Sequence, residues 1–325
     1  MNSKTVRNSF LLFLTACIWG LAFVSQSKGM EVMGPFTFNG VRSMLGAVVV
    51  FPIVLFRLRE RKKETVGGIT ENDETNKSAI DWKTTIVGGL LCGIFYTAAS
   101  TVQQVGISYT SVGKAGFITT LYIILVPVFG IFIGRKVSGV IGIAAILAVV
   151  GMYFLCMTES FTLTGGDTLV FICAVLFAVH ILVIDRFSPK TEGVILSCMQ
   201  LFICGVVCIV LALIFEAPTW GQLQSGMVSI LYAGVMSCGV AYTLQIVGQK
   251  GVNPTVASMI LSLESVVATL AGYVAYRIGF LKTDQTLTMR QVTGCVIVFA
   301  AVILAQLPVK KFSKRRPAFG KKNKK

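Results

Sequence analysis

The sequence predicts an all-α polytopic membrane protein, with ten transmembrane helices arranged as two inverted five-helix repeats. Three observations lead there. Of 325 residues, 54% are hydrophobic and only 13% are charged, where a soluble chain carries about 25% charge. The mean hydropathy is +0.79, and so much apolar material does not fit one aqueous core. The apolar residues fall into ten runs separated by polar breaks, and one stretch of the chain is echoed later in it.

Span one is Ser9–Gln26. It contains Leu14-Thr15-Ala16-Cys17, which has the form of a lipoprotein signal. The apolar run before Cys17 is too short for such a signal, and seven apolar residues or glycines follow where a polar tether would stand. Read through, the segment is long enough to cross a ~30 Å hydrocarbon layer, or nearly so. Span two is Pro35–Leu58, with Pro52 inside it as a bend. A polar, charged loop follows over residues 59–83. Span three is Thr84–Ser108, whose Gly88, Gly89, Gly93 and Gly106 suit close helix packing. Span four is Gly113–Gly134, bent at Pro127, and span five is Gly139–Met157. The second set comprises Thr168–Asp185, Gly193–Phe215, Ser225–Gly248, Pro254–Tyr276 and Gln291–Leu307. The predicted units are residues 1–160 (spans one to five), 161–308 (spans six to ten) and a basic tail, 309–325.

The formal charge of +15 would suit nucleic acid, but its location does not. Nine Lys and Arg residues lie in the tail and five in the run Arg57 to Lys63. Such flanks orient membrane spans and touch anionic lipid heads. With both termini in the cytoplasm, 23 of the 29 Lys and Arg residues fall on the inner side and five on the outer. That asymmetry predicts a multi-pass protein of the cytoplasmic membrane. The nine cysteines lie in apolar runs without C-x-x-C spacing, so they read as small packing residues, with no metal or cofactor expected. No phosphate-binding G-x-x-x-x-G-K-[ST] motif is present, which excludes that form of ATP motor.

Shifted by 142 residues, AASTVQQVG of span three meets AYTLQIVG of span eight, and ten identities fall in the 37 positions from Ala99 to Arg135. Among them Gln103 meets Gln245, Gly106 meets Gly248 and Arg135 meets Arg277. A weaker echo lays Ala16 to Gly20 over Ala174 to Ala178. Five spans is an odd number, so the second unit starts from the opposite membrane face. Inverted units have two packings of similar energy, one open to each side, around a site near the midplane.

These features resemble the EamA-type drug/metabolite transporter superfamily. The resemblance is carried by Trp19-Gly20, by Gly113 to Tyr122 leading to Val126-Pro127-Val128, and by Asn253 to Ser258 leading to Leu263-Glu264-Ser265-Val266. It covers nearly the whole chain. Members usually place Pro where Ser265 stands, and often Gly-Glu where Gly134-Arg135 and Tyr276-Arg277 stand. The resemblance implies ATP-independent export or exchange of small metabolites, amino acids or drugs. It also implies a central cavity surrounded by spans one, three, four, six, eight and nine.

Apart from Cys and Tyr, three ionisable side chains lie well inside spans: Arg42, His180 and Glu264. Each is costly in hydrocarbon unless paired or hydrated. Glu264 sits about 15 Å deep at ~1.5 Å per residue. It and His180 are the candidates for carrying a coupling proton or meeting substrate, and each also suits a packed structural contact. Arg42 is a candidate for a substrate carboxylate or for an internal pair, with Glu264 among its partners; Asn39 shares its helix face. Trp19, Tyr96, Tyr122 and Tyr242 are candidates for the cavity wall, and Gln103 and Gln245 for helix caps or gates. A membrane-embedded enzyme and a passive channel stand as alternatives, and a lipid or nucleotide-sugar carrier within the transporter class.

Overall fold

The computed structural model describes residues 3–66, 80–109, 112–135, 137–156, 164–279 and 286–306. The predicted boundary at 160/161, residues 67–79 of the 59–83 loop, and the 309–325 tail lie outside the described residues. Among those described, every regular element is helical. The first half consists of α1 (Ser3–Met30), α2 (Pro35–Val66), α3 (Trp82–Ile107), α4 (Val112–Thr120), α5 (Tyr122–Phe132) and α6 (Gly139–Cys156). Then come α7 (Gly165–Phe187), α8 (Gly193–Phe215), the short α9 (Trp220–Ser225) and α10 (Met227–Leu231). A π-helix over Tyr232–Ala241 runs into α11 (Tyr242–Gln249), followed by α12 (Pro254–Leu261), α13 (Leu263–Arg277) and α14 (Met289–Gln306).

In hydrocarbon each backbone N–H and C=O must be satisfied within the protein, which is why these apolar runs are helical. Nine crossings among the described residues are long and apolar enough by length and composition, and α6 is equally apolar but shorter. Their outer faces carry large exposed apolar side chains, including Phe56, Phe132, Ile146, Leu213 and Val296. That is the surface of a protein solvated by lipid. Polar residues start the helices. Asp81 caps α3, and bonds from the Thr84 hydroxyl and backbone N–H hold its carboxyl below the usual carboxylate range. Thr164 and Asp167 form a capping box on α7. Asn253, followed by Pro254, opens α12.

Helix α2 runs eight residues past the predicted end of its span at Leu58. Two ion pairs lie along the extension: Arg57 pairs with Glu60 one turn on, and Arg61 pairs with Glu192 at the start of α8. At the other end of the same helix pair, Glu216, just past α8, accepts from the backbone N–H groups of Phe36 (2.8 Å) and Thr37 (2.7 Å) and so caps α2. Arg135 pairs with Asp185 on the Arg61–Glu192 side.

Packing repeats between the halves. Helix α2 lies against α8, and α6 against α14. As α3 packs on α7 and α8, so the π-helix packs on α1 and α2; as α1 packs on α13, so α7 packs on α5. The repetition extends to single atoms. A Cβ on Gly106 would meet Gly166, Leu169 and Val170, and one on Gly248 would meet Asn8, Leu11 and Leu12. The shift that lays Ala16 on Ala174 lays those two triplets on each other. Likewise Gly40 faces Ile209 while Gly205 faces Met44. This reciprocity is what an approximate two-fold axis produces.

Two crossings are broken within one residue of matching points. The break between α4 and α5 falls at Leu121, and that between α12 and α13 at Ser262. Local hydroxyls donate to backbone carbonyls there. Thr120 Oγ1 donates to Gly116 O (2.8 Å), Ser262 Oγ to Met259 O (2.8 Å), and Ser265 Oγ to Ser262 O (2.7 Å).

Candidate substrate cavity

The broken crossings set two side chains against each other on the axis. Tyr122 begins α5 and Glu264 lies in the first turn of α13. The Tyr122 hydroxyl donates to Glu264 Oε1 at 3.1 Å, across 142 positions of sequence. The two residues are therefore counterparts under the repeat. Tyr96 and Cys238, 3.7 Å apart, are a second pair at the same separation. Glu264 is buried at 6% exposure and has no Lys, Arg or His within ion-pair distance among the described residues.

Beside this pair lies a narrow cavity of about 40 Å³. Trp19, Arg42, Gln103, Tyr122, Tyr242, Gln245 and Glu264 line it, so seven of the residues singled out from sequence come together. Trp19 and Tyr242 form an apolar wall, with ring centroids 4.6 Å apart and tilted by 55°. Trp19 is anchored by its Nε1–H, which donates to Ser237 O at 3.4 Å. Ser237 lies in the π-helix, where the wider turn alters the backbone register next to the cavity.

Three expected residues stand behind the wall. Tyr96 is fully buried and meets Tyr242 edge-on at 4.6 Å. His180 is also fully buried, near the rings of Tyr96 and Phe177, and its Nε2 lies 2.9 Å from Gln200 Oε1. Both were expected at the cavity surface. They lie one layer back because α7 and α3 turn these faces toward α8 and each other. Asn39 is the third, and it holds Arg42: its Oδ1 accepts from Arg42 Nε at 3.0 Å, and its Nδ2 donates to Ser100 Oγ (3.1 Å) and Thr101 Oγ1 (3.2 Å). The anticipated pairing of Arg42 with Glu264 is not made; each bonds a neutral neighbour instead.

The two glutamines differ. Gln103 Nε2 donates to Thr119 Oγ1 at 3.3 Å, joining α3 to α4. The repeat places Leu261 where Thr119 stands, so Gln245 lacks that partner and its Oε1 is buried without one. Gln26, Thr119, Phe177 and Ser237 also line the cavity and were not singled out from sequence. Thr119 sits within the quoted motif ending in Tyr122; the others carry no sequence signal beyond ordinary helix composition. Among the described residues no group of His, Cys, Asp and Glu side chains could hold a metal ion.

A helical bundle with paired broken crossings around an internal polar cavity is the architecture of a membrane carrier. Residues 7–157 and again 164–307 match the model of the EamA-like transporter family, and the chain belongs to that family. It is a multi-pass membrane transporter. It is similar to an uncharacterized transporter of Archaeoglobus fulgidus (strain ATCC 49558), 29% identical over 92% of this chain and 85% of that one. It is also similar to the uncharacterized transporter YoaV of Bacillus subtilis (strain 168), 22% identical over 88% and 92% of the two chains. A solved crystal structure shares the fold with a TM-score of 0.69 and 15% identity, covering 93% of this chain and 96% of the other.

Proposed function

We propose that the protein is a secondary transporter that moves a small organic metabolite, amino acid or drug through the central cavity by alternating access. In this reading residues 1–160 and 161–308 are inverted halves that rock about the axis, exposing the cavity to one side at a time. The protein sits in the cytoplasmic membrane with both termini and the 309–325 tail inside, as the Lys and Arg asymmetry requires. The net direction is outward when the solute is more concentrated inside.

The observation that carries this reading is the Tyr122–Glu264 bond, made at the breaks of two crossings and at the edge of the cavity. A carboxyl held by one hydroxyl and facing a cavity can exchange that partner for a proton or for a donor on the solute. Glu264 is therefore the proposed coupling site. His180, sealed behind the wall, serves packing. The test is reconstitution into liposomes with counterflow of radiolabelled solutes. A carrier gives saturable uptake that is accelerated by unlabelled solute on the far side. Linear, non-saturating flux would instead mark a channel, and conversion of the solute would mark an enzyme.

A further inference from the structure

Among the described residues lining the cavity there is one cation, Arg42, and no ion pair is made to it. It is 3% exposed and lines the cavity. A guanidinium has five N–H donors and stays charged. Here Nε donates to Asn39 Oδ1, and Phe38 lies under the guanidinium at 5.4 Å. The two terminal nitrogens have no acceptor among the described residues, and no carboxylate stands within ion-pair distance. They are also not among the side-chain atoms sealed off without a partner, and the residue lines the cavity. The side chain is held in place: Asn39 is pinned by Ser100 and Thr101 and fixes the guanidinium through Nε. A charge buried deep in a membrane protein, oriented and left without its counter-ion, is a binding element awaiting an anion.

We propose that Arg42 anchors the anionic head of the solute, and that the cavity selects small organic monocarboxylates with an apolar body. The proposal rests on the transporter reading. The terminal fork of a guanidinium matches a carboxylate with two parallel N–H···O bonds, which a lysine ammonium cannot reproduce. The Trp19–Tyr242 wall, in the same cavity, takes the apolar body. Asn39 is the positioning residue: it touches Arg42 and not the cavity.

Trp19 is a built-in reporter. The other two tryptophans, Trp82 and Trp220, are exposed at helix starts, so a Trp82→Phe/Trp220→Phe background isolates its fluorescence. The probes are phenylacetate, the neutral phenylacetamide and benzylphosphonate, titrated into purified full-length protein. Saturable quenching by phenylacetate at least tenfold tighter than by phenylacetamide is expected. Arg42→Gln should abolish that preference and Arg42→Lys should keep part of it. Benzylphosphonate binding as tightly as phenylacetate would overturn the selection for carboxylates. Equal affinity for acid and amide, or no binding by either, overturns the proposal, and this comparison needs no variant that must fold. Counterflow of neutral or cationic solutes only, unaffected by Arg42→Gln, would overturn it while leaving the transporter reading intact. Carboxylate-selective binding without any counterflow would do the reverse.

Discussion

Tyr122 and Glu264 show how one shift in register creates chemistry. Their positions are equivalent in the two halves, so an approximate two-fold axis brings them face to face, and unlike residue types at that point make a hydrogen bond. A bond to a carboxyl contributes about 1.5–3 kcal/mol when charged and about 1 kcal/mol when neutral. Tyr122→Phe should therefore lower the midpoint of thermal unfolding modestly and slow counterflow, without unfolding the protein. Glu264→Gln keeps the volume and an acceptor for Tyr122. It should leave stability within about 1 kcal/mol of the parent and flatten the dependence of counterflow on pH. A variant with the full pH profile would remove Glu264 as the coupling group. Both residues stand in sequence motifs, and the 142-residue shift lays one on the other. Their contact was not legible because a repeat does not say which counterparts lie on the axis. Neither was the seclusion of Tyr96 and His180: depth along a helix can be counted, but the direction a side chain faces depends on neighbouring helices.

At the level of elements, breaks and close contacts carry the design. Spans four and nine were read as single helices, with Pro127 as a bend. The break in span four lies six residues before that proline, and at the two breaks the Thr120, Ser262 and Ser265 hydroxyls donate to backbone carbonyls. Polar residues of this kind occur in unbroken helices too, so sequence gives no clear sign of them. The π-helix at Tyr232–Ala241 was equally invisible. Glycines were legible as packing residues, but not individually. A Cβ on Gly294 would stand 2.6 Å from both Gly151 O and Leu155 N, which are backbone atoms unable to yield without moving a helix. Nothing lies within 4 Å of the same atom on Gly142. Gly294→Ala should cost about 1–3 kcal/mol by forcing α6 and α14 apart. Gly142→Ala should be neutral or stabilising by up to about 1 kcal/mol through helix propensity. Thermal melting in one detergent compares them; equal effects would contradict the packing described.

On the scale of the whole molecule, the prediction of an all-helical membrane bundle came from hydropathy and from an odd-numbered repeat, both properties of long stretches and so robust to local detail. The matching contacts made by Gly106 and by Gly248, and those made by Gly40 and by Gly205, tie that repeat to atoms. One face joins the halves by ion pairs, Arg61–Glu192 and Arg135–Asp185. On the other, Arg277, the counterpart of Arg135, stacks on Tyr273 at 5.8 Å. The counterpart arrangements of these two arginines are thus unequal; under the alternating access proposed above, contacts made at one end would be released when the other end closes. The most direct measurement is the pair of end-to-end distances. Spin labels at the exposed Arg59 and Lys190 report the ion-paired face, and labels at Tyr109 and Ile278 report the opposite one. Alternating access predicts two distance populations at each face, with the longer at one face accompanying the shorter at the other as solute or pH is changed. A single unchanging distance at both faces, in protein shown to bind solute, would contradict it.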